Sequence, residues 1–283
     1  MPKFIPSCDC ASPEYENSVL TLLVQTDSED YWSRIIRISG LRETPQSLTL
    51  TVISEIHSWL TSFWRSPAGV LHISDDTGEV HQQSNAGLVS RTVSERAITY
   101  VWGVSDQEVY AVGDAGIVYL WNGADWTAVS EPLGQKLFGV VRAANGTLYA
   151  CGNRGSLWRY VAPTWQRLEL PTNRRLTSVL ALPDSTIWVC GEAGTLFRGS
   201  DEEWEDLQLT EADLHGLCYF KKNIYIAGST VGVYVYKEGG LELIKSTVIS
   251  YGVVADDKYL VSFGDKITIR YDGETWAGYR FDN

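Results

Sequence analysis

The sequence predicts an all-β protein, a single seven-bladed β-propeller, and three observations lead to this fold class. A glycine-rich hairpin recurs along the chain, for example as YACGNRGSLWRY at residues 149–160. Three positions of this hairpin recur at steps of 39 residues, in the series Gly113, Gly152 and Gly191; Gly116, Gly155 and Gly194; and Trp126, Trp165 and Trp204. No segment keeps a helical period of about 3.6 residues over three turns. A repeat of about 40 residues that contains several short strands is typical of a propeller blade.

Six repeats are predicted within residues 56–283. Weaker copies begin at Leu71, Tyr225 and Val261. In the best-defined copy, LTSVLAL, TIWVCG, GTLFRG and EWEDLQL follow one another from residue 176 and are interpreted as four strands, from the innermost to the outermost. Each unit is therefore expected to be one four-stranded blade.

The remaining N-terminal residues decide the number of blades. Residues 18–55 contain three strand signals and predict a degenerate seventh blade, which would lie beside the C-terminal segment TWAGYRFDN and close the ring. Residues 1–17 are expected to be a flexible segment, and residues 1–283 a single domain. Six blades with a separate N-terminal hairpin layer is the main alternative.

The repeated residues are interpreted as parts of the scaffold. Gly152 and its equivalents are expected at the turn between the second and third strands, where glycine adopts positive φ without steric cost. A strand follows this turn, which argues against a phosphate-binding loop because such a loop should open a helix. The repeated tryptophan should pack between adjacent blades, and Cys151 and Cys190 should be small, buried, apolar fillers.

Composition and charge restrict the partners. The formal net charge of −12 disfavours binding to nucleic acid or to an anionic membrane, because both would repel an acidic surface. The first 17 residues have no apolar run of signal-peptide length, and no run approaches the ~20 residues that span a bilayer. Five cysteines, an odd number, fit a reducing compartment. We therefore expect a cytoplasmic protein with a protein partner that is basic.

No motif points to catalysis, a cofactor or a metal. H-E-x-x-H, G-x-S-x-G and Walker sequences do not occur, and the four histidines are scattered along the chain. Cys8 and Cys10 form a C-x-C pair, but no histidine lies within forty residues of it to complete a zinc site. The sequence predicts a protein that is not an enzyme and that has no cofactor.

Two short segments resemble turns of known propellers. YDGETW at 271–276 and WNGADW at 121–126 resemble the Asp-box turn of sialidase-like propellers, and the glycine-rich strands are similar to bacterial repeats of the photosystem-assembly-factor type. Only Asp272–Trp276 approaches the Asp-box consensus, without its upstream Ser or Thr. The resemblance covers most of residues 56–283 and implies a propeller. It implies glycoside cleavage only if the sialidase site residues are present, and no motif identifies them here. WD-repeat propellers are a poorer match, since no Trp-Asp dipeptide closes the blades.

Charged residues near the fourth repeat are the candidate partner-binding site. Seven acids occur between residues 201 and 213 without an intervening Lys or Arg: Asp201, Glu202, Glu203, Glu205, Asp206, Glu211 and Asp213. Arg174 and Arg175 precede this run, and Arg154 belongs to the previous repeat. Such a run can be a solvated face only, or it can steer a basic partner, because complementary charge accelerates encounter.

These observations favour a non-catalytic propeller that binds another protein. The more specific expectation is a bacterial immunity protein, that is, an inhibitor or antitoxin against a basic toxin, or else an assembly scaffold. The alternative is a carbohydrate-binding lectin or a sialidase-like glycoside hydrolase. Five tryptophans outside the repeat series could stack on sugars: Trp32, Trp59, Trp64, Trp102 and Trp121.

Overall fold

The chain is a seven-bladed β-propeller. The structure, a computed structural model, describes residues 5–14, 18–27, 30–41, 48–200 and 203–281. These residues form 28 strands in seven antiparallel sheets of four strands each. They form no α-helix, so none of them belongs to a helix that could cross a bilayer. The predicted number of blades is confirmed, and the six-bladed alternative is excluded.

Each blade uses four consecutive strands. Blade 1 comprises β1 (Ile5–Glu14), β2 (Ser18–Asp27), β3 (Asp30–Ser39) and β4 (Thr49–Ile56). Blade 2 comprises β5 (Leu60–Arg65), β6 (Leu71–Asp75), β7 (Glu79–Ser84) and β8 (Gly87–Thr92). Blade 3 comprises β9 (Ile98–Ser105), β10 (Glu108–Gly113), β11 (Val118–Trp121) and β12 (Trp126–Ala128). Blade 4 comprises β13 (Leu137–Arg142), β14 (Leu148–Gly152), β15 (Leu157–Val161) and β16 (Thr164–Leu168).

The last three blades repeat this order. Blade 5 comprises β17 (Leu176–Ala181), β18 (Ile187–Gly191), β19 (Leu196–Ser200) and β20 (Glu203–Asp206). Blade 6 comprises β21 (Gly216–Phe220), β22 (Asn223–Ala227), β23 (Val233–Lys237) and β24 (Gly240–Lys245). Blade 7 comprises β25 (Gly252–Ala255), β26 (Leu260–Gly264), β27 (Ile267–Tyr271) and β28 (Trp276–Arg280). The four strands predicted from residue 176 onward are confirmed.

The chain divides into two compact units. One unit contains residues 1–60 and 215–283, which hold blades 1, 6 and 7, and the other contains residues 61–214, which hold blades 2 to 5. In both units the second strand of a blade is the most deeply buried one, as in β14 and β18, where every residue is buried. Apolar residues of adjacent blades form common cores between these strands.

The prediction of a flexible segment at residues 1–17 is wrong for residues 5–14. These residues form β1, which pairs with β2 from Ile5 opposite Thr26 to Glu14 opposite Ser18. Pro6 and Pro13 suggest an interrupted chain, but β1 is the end strand of its sheet, where a missing N–H group is tolerated. Blade 1 is therefore a complete blade rather than a three-stranded remnant. Residues 1–4 and 15–17 lie outside the described part.

The C-terminal strand belongs to blade 7 and packs beside blade 1, as predicted. β28 pairs with β27, so the two chain ends do not share a sheet within the described residues. Phe281 and Phe263 lie in one buried cluster with Ala11 and Val19 of blade 1. The Thr21 and Thr268 hydroxyls also form a buried hydrogen bond of 2.8 Å. Among the residues that the structure describes, side-chain contacts rather than strand pairing join blades 7 and 1.

The two glycines of the repeated hairpin have different roles, and one differs from the prediction. Gly152 does not have positive φ. A Cβ atom there would lie 2.2 Å from the carbonyl oxygen of Lys136, so the position requires glycine because the backbones approach closely. Gly155 has a φ of +63°, and a Cβ atom there would lie 2.0 Å from the carbonyl oxygen of Thr172. The left-handed conformation thus belongs to the second glycine.

The repeated tryptophans lie on the outer strands, as predicted. Trp126, Trp165 and Trp204 belong to β12, β16 and β20. The indole N–H of Trp165 donates to the carbonyl oxygen of Val129 at 3.1 Å, and this residue follows the outer strand of blade 3. The ring therefore links blades 3 and 4, which confirms a scaffold role.

Candidate functional site

The two ends of blade 5 separate the acidic run into two groups. The turn between β18 and β19 (192–195) and the loop that follows β20 (207–215) lie at the same end, where the Gly194 N–H donates to the Ala212 carbonyl at 2.8 Å. The paired residues Ser200 and Glu203, where β19 ends and β20 begins, lie at the other end, because antiparallel strands run in opposite directions. The five predicted acids that the structure describes, Glu203, Glu205, Asp206, Glu211 and Asp213, therefore do not form one patch.

Backbone contacts assemble a charged rim from blades 4 and 5. We define it as Arg154, Arg174, Arg175, Glu192, Glu211 and Asp213. The Ala193 N–H donates to Asp213 Oδ1 at 2.7 Å, and the Arg174 guanidinium donates to the Ala193 carbonyl oxygen. The structure thus brings five of the predicted site residues to one end of two adjacent blades, together with Glu192, which the sequence analysis missed.

Turns fix the position of each rim side chain. Arg154 is exposed and has a φ of +55° in the turn between β14 and β15. The next residue, Gly155, donates its N–H to the Arg174 carbonyl at 2.7 Å, which joins this turn to the loop between blades 4 and 5. Arg175 Nη2 lies 2.7 Å from Glu192 Oε1. The rim consequently alternates positive and negative groups on fixed backbone.

A groove of about 930 Å³ lies within this rim. The loop at 171–174 forms one wall, and Phe197, which is 1% exposed, is among the residues that line it. The remaining walls are polar and include Asp206 and Glu211, with Gln208 and Thr210 between them. The groove can therefore accommodate a polar or cationic side chain of a partner next to two carboxylates.

The opposite end of blade 5 holds the other described acids of the run. Glu203 and Glu205 line a shallow cleft of about 550 Å³ with Arg198 and Trp204. The Glu205 carboxylate forms an ion pair with Arg198. This pairing reduces the charge that Glu205 presents to an incoming partner. Asp201 and Glu202, which were predicted to contribute, lie outside the described residues.

An aromatic residue of blade 4 departs from the repeat beside the rim. In blades 2, 3 and 5, Thr61, Thr99 and Thr177 donate to the carbonyl oxygens of Ile98, Leu137 and Leu214, which links successive blades at 2.5–2.6 Å. Phe138 occupies the equivalent position in blade 4, 39 residues after Thr99 and 39 before Thr177. The side chain at 138 therefore cannot make this hydrogen bond.

Two cations cover the Phe138 ring. Lys136 Nζ lies 5.5 Å and Arg175 Cζ 5.4 Å from its centroid, within the range of cation–π attraction. Lys136 also pairs with Asp114 at 2.6 Å. Phe138 thus replaces a scaffold contact by an aromatic group that contacts Lys136 and the rim cation Arg175. The missing threonine in the 39-residue series was a signal available in the sequence.

A buried network in blade 2 was not predicted. His81 Nδ1 lies 2.7 Å from Ser90 Oγ, its cross-strand partner, and His81 Nε2 lies 3.2 Å from Asp75 Oδ2. Asp75 also accepts the backbone N–H groups of Thr77 and Glu79. Although this order of groups resembles a hydrolytic triad, the carboxylate is engaged by its own turn. The network connects β6, β7 and β8.

The same residues form a candidate metal cluster on distance alone. Ligand atoms of Asp75, Glu79 and His81 lie within 4.8 Å of one another. Asp75 approaches Nε2, whereas Glu79 Oε2 approaches Nδ1 at 3.9 Å. A single ion can bind only one nitrogen of an imidazole, so these two carboxylates do not converge on one position. Hydrogen bonding explains the cluster better than metal coordination.

The four cysteines whose side chains the structure describes are buried, in agreement with the prediction for Cys151 and Cys190. Both are fully buried, and Cys10 and Cys218 are buried as well. Burial raises the pKa of Cys190 to about 12, with a weaker opposing effect of the Thr177 hydroxyl. Burial likewise raises the pKa of Cys151 and Cys218. The thiolate forms needed for metal binding or nucleophilic attack are therefore disfavoured.

The five tryptophans outside the repeat series differ in how far they are exposed. Trp121 is buried, and Trp64 and Trp102 pack against hydrophobic cores. Trp59 is 40% exposed and lies 5.0 Å from the ring of Tyr31, which is 42% exposed. Trp32 contacts His57. An aromatic surface suited to sugar stacking is therefore restricted to the Tyr31–Trp59 pair among the five predicted positions.

Fold and rim together define a β-propeller that carries a rigid, mixed-charge surface on adjacent turns. No protein-family profile matches the chain, and no curated protein sequence matches it. Comparison with solved structures shows the fold. A structure of YCF48 bound to D1 peptide matches with a TM-score of 0.64 and 14% identity over 90% of this chain and 89% of that one. YCF48 from Cyanidioschyzon merolae matches with a TM-score of 0.67 and 13% identity over 99% and 97%.

WD40 propellers match this chain as well. The WD40 propeller domain of Doa1 gives a TM-score of 0.78 at 10% identity over 99% of this chain and 96% of that one. The sequence predicted a poorer match to WD-repeat propellers because no Trp-Asp dipeptide closes the blades. The structural similarity indicates that the blade geometry does not require this dipeptide. The similarity to photosystem-assembly-factor repeats agrees with the YCF48 structures, whereas these neighbours do not support the sialidase type.

Proposed function

We propose that this propeller is a non-catalytic protein that binds a partner protein through the charged rim of blades 4 and 5. The observation that carries the proposal is the groove lined by Arg174 and Glu211, with Arg154 and Asp213 on turns and loops in contact with its walls. Each is attached to a turn or loop that backbone hydrogen bonds hold in place. Binding to such a surface costs little ordering entropy.

Charge supports a basic partner. The net charge of −12 attracts cationic proteins over several ångströms, and Asp206 and Glu211 place two carboxylates in the groove itself. The structural likeness to YCF48, solved with a D1 peptide, supports recognition of a polypeptide by this fold. The more specific proposal is a cytoplasmic immunity protein that occludes a basic toxin, or an assembly scaffold with a basic client. Neither nucleic acid nor membrane suits this charge.

A capture experiment with two charge reversals tests the rim. The tagged wild type, Glu211→Lys and Glu203→Lys are compared as baits in native lysate by quantitative mass spectrometry. We expect a basic protein that wild type and Glu203→Lys retain and that Glu211→Lys loses at least about tenfold. Both residues are exposed acids of blade 5 at opposite ends, so the second variant is a matched control.

Association rates then separate long-range electrostatic attraction of the partner from direct contact at the interface. Increasing salt should slow association of the captured partner with wild type, and Glu211→Lys should remove most of that salt dependence. Equal capture by all three baits would contradict binding at the rim. Loss with Glu203→Lys alone would place the interface at the opposite end of the blade, and an acidic partner would refute the basic client.

Carbohydrate binding is a second candidate, because Tyr31 and Trp59 present an exposed aromatic pair. Such rings can stack on the apolar face of a sugar. On a glycan array, a lectin would show binding that Trp59→Ala abolishes and Glu211→Lys preserves. Absence of any glycan signal with wild type would eliminate this candidate.

A further inference from the structure

The outer strand of blade 1 is the least protected sheet edge among the described blades. β4 contains eight residues, whereas the other outer strands contain three to six. It pairs with β3 and with no other described strand. Proteins usually shorten such edges or place charges on them, because unpaired N–H and C=O groups recruit other strands.

The one charged side chain of β4, Glu55, lies near the end of the strand and pairs with Arg34. Residues 48–54, LTLTVIS, contain no charged side chain. Each other outer strand either includes at least one charge, such as Arg91 in β8 or Arg167 in β16, or, like β12, has only three residues. The β4 edge therefore differs from the other six in its length and in its run of six consecutive uncharged residues, Thr49–Ser54.

The exposed part of β4 is a short regular run. Thr49 to Val52 are all exposed, with Leu50 at 44% and Val52 at 53%. The pairing with β3 is regular here, from Ser39 opposite Thr49 to Ile36 opposite Val52. A bulge at Ile53 ends this run, since Ile35 pairs with Ser54. Strand addition would therefore involve about four to five residues.

Size and charge argue against a second copy as the occupant. A run of four residues extends about 14 Å and would bury roughly 300 Å² in total, far below the ~1,200 Å² of a stable dimer. Two copies would also bring together two molecules that each carry a net charge of −12. A short segment with flanking cations avoids this charge repulsion and gains attraction from the acidic chain, and the small contact area implies weak, reversible binding.

We propose that Thr49–Val52 is a docking edge for a short extended segment of a partner protein, with alternating apolar residues and flanking Lys or Arg. Backbone hydrogen bonds provide the affinity, and Leu50 and Val52 contact the apolar side chains of the added strand. This surface goes beyond the rim and does not depend on it.

A synthetic peptide tests the docking edge directly. The probe is a fluorescein-labelled Lys-Val-Thr-Val-Thr-Val-Lys peptide amide, and fluorescence anisotropy measures its binding to the full chain. We expect binding to wild type, and at least about tenfold weaker binding to both Val52→Lys and Val52→Glu. Using both signs of charge separates strand blocking from simple repulsion of the cationic probe.

Matched controls identify which outer strand binds the peptide and whether binding uses backbone hydrogen bonds. Val89 on β8 is 51% exposed, so Val89→Lys adds the same charge to another outer strand and should leave binding unchanged. A probe with alternate backbone nitrogens methylated should not bind, because it lacks donors. Circular dichroism should show all variants folded, since both sites are exposed.

Four outcomes would overturn the proposal. These are no binding of the probe to wild type up to about 1 mM, wild-type binding by Val52→Glu, equal binding of the methylated probe, and equal weakening by Val89→Lys. Sedimentation would reveal the remaining alternative. A wild-type dimer that Val52→Lys converts to a monomer would make the occupant a second copy instead. The rim variant Glu211→Lys should bind the probe like wild type, which keeps the two surfaces distinguishable.

Discussion

The guanidinium of Arg175 lies over the ring of Phe138, with Cζ 5.4 Å from the ring centroid, while its Nη2 atom lies 2.7 Å from Glu192. One cation thereby connects an aromatic residue of blade 4 with an acid of blade 5. Because Phe138 also stands where the repeat has threonine, this contact is particular to one blade junction. It predicts measurable coupling between the two residues.

A double-mutant cycle measures this coupling. We expect Phe138→Leu to lower the free energy of unfolding by about 1 kcal/mol in wild type, and by less in an Arg175→Met background, because the cation–π attraction is already absent there. Urea denaturation of the four proteins gives the coupling energy, expected at about 0.5–1 kcal/mol. Additive effects would show that the ring and the guanidinium do not interact.

The threonine links should stabilise the junctions that retain them. Thr177→Val keeps the shape of the side chain but leaves the Leu214 carbonyl without the hydroxyl that donates to it at 2.6 Å. A loss of about 1–2 kcal/mol is expected. Thr127 on β12 is exposed, so Thr127→Val should change the unfolding free energy by less than about 0.5 kcal/mol. Equal effects of the two changes would refute the role of the link.

Alanine substitutions at two glycines separate the cost of a close backbone contact from the cost of a positive φ. Gly155 and Gly134 both have positive φ, at +63° and +84°, but only Gly155 has a neighbouring backbone atom that a Cβ would meet. Gly134→Ala should cost about 1 kcal/mol through conformational strain alone. Gly155→Ala should cost several kcal/mol, or prevent folding, because the Thr172 carbonyl must also move. Thermal unfolding compares them, and similar costs would contradict the close approach.

Acid should destabilise the protein through His72. Burial lowers the pKa of His72 to about 4, and the negative charge of Asp106 opposes this effect only in part. The unfolded chain, with a histidine pKa near 6.5, binds the proton first, so stability falls as the pH drops from about 6.5 towards 4, by up to roughly 3 kcal/mol. Carboxylates also titrate near the lower limit of this window.

A comparison of variants isolates the histidine. Relative to wild type, His72→Gln should flatten the dependence of the unfolding free energy on pH between about 6.5 and 5, because the variant lacks the buried imidazole that the unfolded chain protonates first. An unchanged slope in His72→Gln would show that other groups cause the acid sensitivity.

Local repetition made the fold predictable, and long-range contacts limited the rest. The 39-residue series indicated the blades because each one is a contiguous hairpin pair. Gly152 was assigned a turn conformation, but it is required by the distant Lys136 carbonyl, which no local pattern reveals. Pro6 and Pro13 are tolerated in β1 because it is the end strand of its sheet, and the sequence does not show where in a sheet a strand lies.

The candidate site was predictable in composition but not in arrangement. The acids of residues 201–213 are adjacent in sequence, yet successive turns of a blade point to opposite ends, so Glu205 and Glu211 lie at different ends. Glu192 was not predicted as a site residue because it is isolated from the acidic run in the sequence. Its ion pair with Arg175 makes it part of the rim. Partner binding by the rim residues remains a prediction.

The junction between blades 7 and 1 has a consequence for how this chain can be rearranged. β1 and β28 belong to separate sheets, and each described sheet is built from four strands that are consecutive in sequence. None of these sheets therefore needs a strand from the other end of the chain to be complete. Connecting the termini with a linker and opening the chain between two other blades should therefore give a circular permutant that folds. Because all seven sheets contain four consecutive strands, a whole blade could be duplicated or deleted at this junction, as at the other blade junctions, without breaking a hydrogen-bonded ladder.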